Sequence, residues 1–277
     1  MKHKKPGDIF LSVITYGAAA IALSVLSFLV GYVVIKGAPH IKPSLFSLKY
    51  TSENVSVMPA IITTVEMTFL SLLIAVPLGI CTAVYLVEYA SRKNKLVGVV
   101  RITAETLSGI PSIVYGLFGM LFFVTALGWG FSLIAGACTL SIMILPLIMR
   151  TTEEALKSVS DSYREGSFGL GAGRLRTVFK IILPAAMPGI FSGIILAIGR
   201  IVGETAALIY TAGTVAQTPA RLTDSARTLA IHMYALSSEG LHTNEAYATA
   251  LILLVLVIGI NALASSMVKK LERGAGE

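Results

Sequence analysis

The stretch EGSFGLGAGRLRTVFKIILP, residues 165–184, sets Gly169, Gly171 and Gly173 ahead of Arg174, Arg176 and Lys180, then closes an apolar run on Leu183-Pro184. Just before it, Ser162-Tyr163-Arg164-Glu165 fits a capping box, with Ser162 as the N-cap and Glu165 three residues on. The spacing predicts a short helix from Ser162 to about Leu170. Gly171 and Gly173 are both expected in the left-handed conformation that ends a helix and redirects the chain. A second amphipathic piece, Arg174 to Leu183, follows, and Pro184 marks the return to apolar sequence. By spacing alone, this is either an interfacial loop or a docking knob for a partner. It is not a nucleotide loop: neither GxxxxGK[ST] nor GxGxxG after a strand is present, and no ATP site is visible.

The flanking sequence fixes the class. The chain has 277 residues, 55% hydrophobic and 13% charged, with a mean hydropathy of +0.80. A soluble domain of this size cannot hide that much apolar surface. Six stretches, at about 12–35, 60–86, 97–124, 131–149, 187–212 and 246–268, approach or exceed the roughly 20 residues a spanning helix needs. The N-terminal MKHKKPGD resembles a signal-peptide flank, but the apolar run behind it is too long and lacks a prompt cleavage site, so it reads as a retained span. Cys81 and Cys138 fall inside spans, which argues for small buried hydrophobes over a disulfide.

Basic residues set the orientation. With the N-terminus inside, the cytoplasmic segments hold Lys2, Lys4, Lys5, Arg92, Lys93, Lys95, Arg150, Lys157, Arg164, Arg174, Arg176, Lys180, Lys269, Lys270 and Arg273. The outer loops hold only Lys36, Lys42, Lys49, Arg221 and Arg227. That bias places both termini in the cytoplasm. The net charge of +7 is then a topology and lipid-surface signal, with no nucleic-acid partner implied. The expected organisation is 1–58 (tail, first span and outer loop), 59–268 (the main membrane domain, with a cytoplasmic loop at about 150–186) and a 269–277 tail, with no appended soluble domain. The outer segment 213–245 is expected to carry a short interfacial helix from Ala226 to Leu236.

Charged residues inside spans are expensive and usually face a bundle interior or an aqueous cavity. Arg200 and Glu204, four apart in the fifth span, are expected on one small or polar face with Gly193, Ala197, Ala207 and Thr211. They form either a self-neutralising pair that locks helices or a translocation site in which Arg200 meets an anion. A guanidinium fork suits tetrahedral oxyanions. In the third span Arg101, Glu105, Ser108, Ser112 and Tyr115 make a second stripe. Arg101 and Glu105 lie towards the cytoplasmic end as candidate structural charges, and Glu66 in the second span is close enough to the outer end to reach the interface. Pro77, Pro111 and Pro146 each sit within an apolar segment, where neighbouring helices can satisfy the freed backbone groups.

Glu165-Gly166-Ser167, three residues, Gly171, nine residues, then Ile181-Ile182-Leu183-Pro184 resembles the cytoplasmic signature of permease subunits of binding-protein-dependent ABC importers. That signature reads E-A-A, three residues, G, nine residues, I-x-L-P; the two alanines are here Gly166 and Ser167. The resemblance implies an all-α membrane protein of six transmembrane helices, a type-1 (MetI-like) permease core with one additional N-terminal span. It also implies that the segment from Ser162 to Gly173 is a coupling helix docking into a cytoplasmic ATPase. LSGIPSIVYGLFG (107–119), PLGICTAVYLVEYA (77–90) and GRIVGETAALIYTAG (199–213) are similar to the PstA-type permeases of phosphate importers, except that Ala207 stands where proline commonly follows. That resemblance implies inorganic phosphate as solute. The implied partners are a related PstC-type permease, a PstB-type ATPase dimer and a PstS-type extracytoplasmic binding protein, in the prokaryotic plasma (inner) membrane. Arg200 and Glu204 match the family's intramembrane arginine and glutamate.

Other classes fare worse. HExxH, GxSxG and paired His/Cys ligand spacings are missing, and His3, His40, His232 and His242 are scattered over both faces. Ser266-Met-Val-Lys269 fits SxxK without companion motifs. The chain is therefore expected to be non-catalytic, with no cofactor or metal. A passive channel lacking an ATPase conflicts with the coupling signature. Permeation of another oxyanion or small solute (phosphonate, molybdate, sulfate, an amino acid) stays open.

Overall fold

The computed structural model describes residues 6–91 and 94–274, and all regular secondary structure among them is helical. The long elements are α1 (Pro6–Gly37), α2 (Met58–Val84), α3 (Lys95–Ser108), α4 (Ser112–Gly119), α5 (Leu133–Ser158), α8 (Leu183–Val202) and α11 (Thr243–Gly274). Short helices α6 (Asp161–Gly169), α7 (Arg174–Thr177), α9 (Ala206–Ile209) and α10 (Leu229–Glu239) lie between them. Five helical stretches, Phe10–His40, Met58–Tyr89, Leu133–Ser158, Arg174–Val202 and Thr243–Ser266, are long and apolar enough to span a membrane. The pair Lys95–Ser108 and Ser112–Ala126, bent by 103°, makes the sixth. Cys81 and Cys138 are free thiols.

α5 is the axis of the bundle, packed on α2, α4 and α8. Close approach depends on small residues. A Cβ on Gly79 would lie 2.8 Å from Ile148 Cγ2, one on Gly189 2.7 Å from Ala155 Cβ, and one on Gly193 would collide with the Thr151 side chain. Helices in lipid gain no hydrophobic drive from meeting one another, so this tight van der Waals contact is a main source of cohesion. α1 leans on α11, where the Tyr32 and Tyr247 rings meet edge to face with centroids 5.8 Å apart. The rest of α1 presents Phe10, Ile21 and Phe28 outwards.

Three expected spans are corrected. The fourth, expected at 131–149, runs Leu133–Ser158, so the cytoplasmic loop expected from 150 begins only after Ser158. The third, expected as one helix over 97–124, is broken at Gly109-Ile110-Pro111. Pro111 disfavours a helical residue before it, and the Tyr115 hydroxyl donates to the Leu107 carbonyl (2.7 Å), bracing the bend. The fifth, expected at 187–212, ends at Val202 and begins at Arg174, because Pro184 does not interrupt it. A π-turn over Val178–Ile182 lets the Leu183 N–H bond to Val178 O. The helix thus passes through Pro184, which sits in the first turn of α8, where a missing N–H is tolerated.

At the end of the bundle opposite α6, α10 is buried against α11 and α2 instead of lying at the interface, and runs Leu229–Glu239 instead of Ala226–Leu236. It starts only after Thr228, whose extended backbone forms the N-cap, and ends on Gly240 at φ +71°. His232 is its anchor. A carbonyl only accepts and a guanidinium only donates. Nε2–H therefore donates to Val55 O (3.2 Å), and Nδ1 accepts from Arg227 Nη1 (3.4 Å). Val55 has φ +38°, unusual for a β-branched residue, and its turn is pinned by the Asn54 side chain, which accepts from Thr51 N and Ser56 N. Burial, then the Arg227 charge, push His232 down to about 4, against the Val55 bond, which raises it.

Since the folded value lies below the unfolded value of about 6.5, the neutral ring contributes its full stability above pH 6.5 and loses it as pH falls towards 4. Hydrogen-exchange protection factors at 45–57 and 226–240, corrected for the slower intrinsic exchange at acid pH, are therefore expected to fall between pH 7 and pH 4.5, and a His232→Gln variant to lose most of that dependence.

Candidate functional site

Two regions carry the sequence-expected residues. The first is α6. Its N-cap is Ser160, whose hydroxyl accepts from Ser162 N (3.4 Å), with Asp161 in the first turn. The expected capping box is thereby corrected: Ser162 lies inside the helix, and Glu165 is exposed and too far along to reach back. The helix ends in a Schellman motif, with Ala172 N bonded to Ser167 O (3.1 Å) and Gly171 N to Phe168 O (2.9 Å), and Gly171 at φ +80°. Gly173 is not left-handed. At φ −72° and ψ 159° it is the extended N-cap of α7, since one left-handed residue completes the motif.

Ser167 is buried, its hydroxyl 2.8 Å from that of Thr177, which ties α6 to α7. Ile181, Leu183 and their buried neighbour Ile182 pack into the core beneath, while Gly166 and Pro184 are exposed. Tyr163, Phe168, Leu175 and Leu170 (92% exposed) form an apolar surface around the turn.

What holds α6 is Arg164. Its Nη2 lies 2.7 Å from Glu88 Oε1, in the π-turn Tyr85–Tyr89 that follows α2, with side-chain exposures of 17% and 9%. Arg164 also donates to Val159 O (2.9 Å), Leu156 O (3.0 Å) and Asp161 Oδ1 (3.0 Å). One guanidinium thus joins α6 to the ends of α2 and α5.

The second region lies midway along the bundle. α8 stops at Val202, so Arg200 and Glu204 do not share a continuous helix face and no ion pair joins them among the described residues. Glu204 turns inward and accepts from Ala207 N (3.1 Å), capping α9. Thr211 is fully buried, its hydroxyl bonded to Ala207 O (2.8 Å), beneath Gly119 of α4. Arg200 makes no hydrogen bond or ion pair among the described residues, although it lies close enough to the Tyr115 phenol for electrostatic interaction. It borders a cavity of about 560 Å³ with Leu147, Ser192, Gly199 and Asn261.

The bend divides the other stripe. Ser112 is half-buried at the start of α4. Arg101, Glu105 and Ser108 border a separate cleft of about 210 Å³ between α3 and α5. There Arg101 and Lys157 share the buried carboxylate oxygen of Glu153, at 2.7 and 2.6 Å. Glu66 borders a hollow under Pro219 to Leu222, with its Oε2 buried and unpartnered.

The model of the family described as "Binding-protein-dependent transport system inner membrane component" matches residues 75–276. The chain belongs to this family. It is an ABC importer permease subunit, embedded in the membrane. The probable ABC transporter permease protein YqgI of Bacillus subtilis (strain 168) is 34% identical, over 80% of this chain and 81% of that protein. PstA 1 of Mycobacterium tuberculosis (strain ATCC 25618 / H37Rv), a phosphate transport system permease protein, is 44% identical over 50% of this chain and 45% of its own. PstA of Mycobacterium leprae (strain TN) is 37% identical over 68% and 62%. The permease thus spans about half to three-fifths of these PstA proteins' length.

Among solved structures, a bacterial alginate ABC transporter has a chain of the same fold, with a TM-score of 0.71, 17% identity and 95% of each chain covered. The MetNI methionine ABC transporter gives 0.61 and 22%, over 78% of the permease and 94% of that chain.

Three functional candidates escaped sequence reasoning. Glu88 and Glu153 find their partners across the fold, at separations no local pattern reveals. Asn261 was readable: a lone carboxamide in the apolar run ALILLVLVIGINALA is a polar group that must be accounted for in a membrane.

Proposed function

We propose that this permease forms half the translocation path of an ATP-driven importer of inorganic phosphate and hydrolyses nothing itself. A PstC-type permease would complete the path, a PstB-type ATPase dimer would drive it, and a PstS-type binding protein would deliver the anion from outside. The observation that carries this reading is Arg200: a guanidinium without a counter-charge, bordering a cavity midway along the bundle. A buried ion pair with Glu204 would have favoured a purely structural role, and that pair is not formed. An arginine left open there is suited to transient binding of an anion. Both termini and α6 are then cytoplasmic.

Alternating access follows from this arrangement. ATP binding closes the ATPase dimer against Tyr163, Phe168 and Leu170. The rigid link through Arg164 passes that displacement to α2 and α5, and the path around Arg200, Tyr115 and Glu204 opens to one side at a time. Glu165, Gly166 and Ser162 lie on or beside the docking face, Ser167 holds it to Thr177 of α7, Ile181 and Leu183 seat the following helix in the core, and Pro184 opens α8. Arg101, Glu105 and Ser108 line the cytoplasmic mouth, with Ser112 at the bend. Thr211 and Glu66 serve packing at the outer end. The 44% identity to a phosphate permease over half the chain supports phosphate. Another oxyanion is the second reading, because a guanidinium alone does not tell one tetrahedral anion from another.

Gly171→Val tests the docking role. No neighbour lies within 4 Å of a Cβ there, so the cost comes from φ +80° alone, about 1–2 kcal/mol or more for a β-branched residue. The variant is expected to insert normally while ATP turnover per phosphate imported rises several-fold; an unchanged ratio would count against docking by α6. The function as a whole is tested by radiolabelled phosphate uptake at micromolar concentration, in cells lacking any other phosphate importer, with and without this chain. Loss without the chain is expected. Unchanged uptake would remove phosphate as the solute.

A further inference from the structure

We infer that Arg101 and Glu153 form a breakable latch between α3 and α5, released in each transport cycle when α6 moves. The inference rests on the alternating-access reading above and not on phosphate as the solute. Glu153 lies in the last turns of α5, its side chain 8% exposed. One of its carboxylate oxygens takes both Arg101 Nη2 from α3 (2.7 Å) and Lys157 Nζ from its own helix (2.6 Å). Just beyond, the Leu156 and Val159 carbonyls accept from Arg164 of α6 (3.0 and 2.9 Å). The end of α5 is thus gripped both by the docking helix and by α3. A displacement of α6 reaches Glu153 through roughly two turns of helix.

The contact can part without orphaning a charge. Breaking a buried ion pair is costly because it leaves one ion alone, but here Glu153 keeps Lys157 when Arg101 departs. Arg101 is already 44% exposed, and a pair with one half in solvent contributes little, which suits a contact broken and remade. α3 is also lightly held. Among its described residues only Val97 is buried, and the break at Gly109-Ile110-Pro111, where the chain bends by 103°, supplies a hinge. Arg101 and Lys157 border two hollows at once: the cleft of about 210 Å³ between α3 and α5, and another of about 400 Å³ beside Leu86, Val87 and Ala90. Parting the cluster would open one into the other. Arg150 borders the same cleft but pairs with Glu154 of its own helix (3.2 Å), a contact that ties nothing to α3.

The test uses the assembled membrane complex with its ATPase in nanodiscs. Spin labels are placed on cysteines at Ile102 of α3 and Ser158 of α5, both exposed, with Cys81 and Cys138 replaced by alanine. Double electron–electron resonance is expected to give one separation without nucleotide and another, several ångströms different, with ATP trapped by vanadate. Arg101→Gln should populate the longer separation in both states. A separation that is the same in the two states, or indifferent to Arg101→Gln, would overturn the latch; the first comparison stands even where that variant fails to assemble. Because the tie resists displacement of α5, Arg101→Gln is also expected to raise ATP hydrolysis several-fold in the absence of binding protein. Arg101→Lys should restore the low rate by keeping the cation, and Arg150→Gln should leave it unchanged. Equal effects of Arg101→Gln and Arg150→Gln would mean loss of charge alone and would contradict the latch. Neither readout uses phosphate. A fixed separation in a complex that still imports phosphate would overturn the latch alone, whereas a moving latch in a complex that imports none would overturn the solute alone.

Discussion

Arg200→Gln is expected to abolish phosphate uptake, by about two orders of magnitude or more, while the complex still assembles. Glutamine keeps much of the length and the polarity but loses the charge and the fork. Hydrogen bonds to charged groups are worth about 1.5–3 kcal/mol each, and two are lost at once, with every 1.4 kcal/mol a tenfold effect. Assembly should survive because Arg200 makes no hydrogen bond or ion pair among the described residues, so no internal partner is orphaned. Uptake with co-purification of the partner subunits checks both halves. A variant that fails to assemble would make Arg200 a structural residue.

Arg164→Leu is expected to be the most damaging change outside the path. It leaves the Glu88 carboxylate, 9% exposed, without its cation, and strips donors from Val159 O and Leu156 O. Removing one member of a buried pair typically costs about 3–5 kcal/mol. The partial exposure of Arg164 puts the expectation at the lower end of that range. Because the guanidinium also fixes α6 to α2 and α5, ATP hydrolysis should continue while uptake collapses. A double-mutant cycle with Glu88→Leu gives the pair its own number: thermal melting of the purified permease should show Glu88→Leu with Arg164→Leu less destabilised than the sum of the two singles. Strict additivity would mean the pair carries no coupling.

These two residues also show what the sequence made legible. Apolar length alone gives six spans, and glycine spacing places the turn at Gly171 because left-handed backbone there selects glycine. Breaks inside apolar runs were harder to see. By sequence Pro111 is tolerated within a span, yet the Tyr115–Leu107 bond that braces the bend is tertiary. Pro184 looks like a boundary in the sequence, yet a π-turn absorbs it. Arg200 was found from its cost in the membrane, but whether Glu204 would neutralise it depended on where α8 ended, which Gly203 and the α9 cap decide. The Arg164–Glu88 link joins residues 76 apart in the chain, and no periodicity records such a contact.

The most direct test of an ATP-driven phosphate importer is accumulation in proteoliposomes that contain the purified complex, with ATP on the ATPase side and loaded binding protein on the other. Phosphate should accumulate above its equilibrium level only when this chain, ATP and the binding protein are all present. Phosphate that merely equilibrates, independently of ATP, or that does not enter at all while another solute accumulates, would contradict the account.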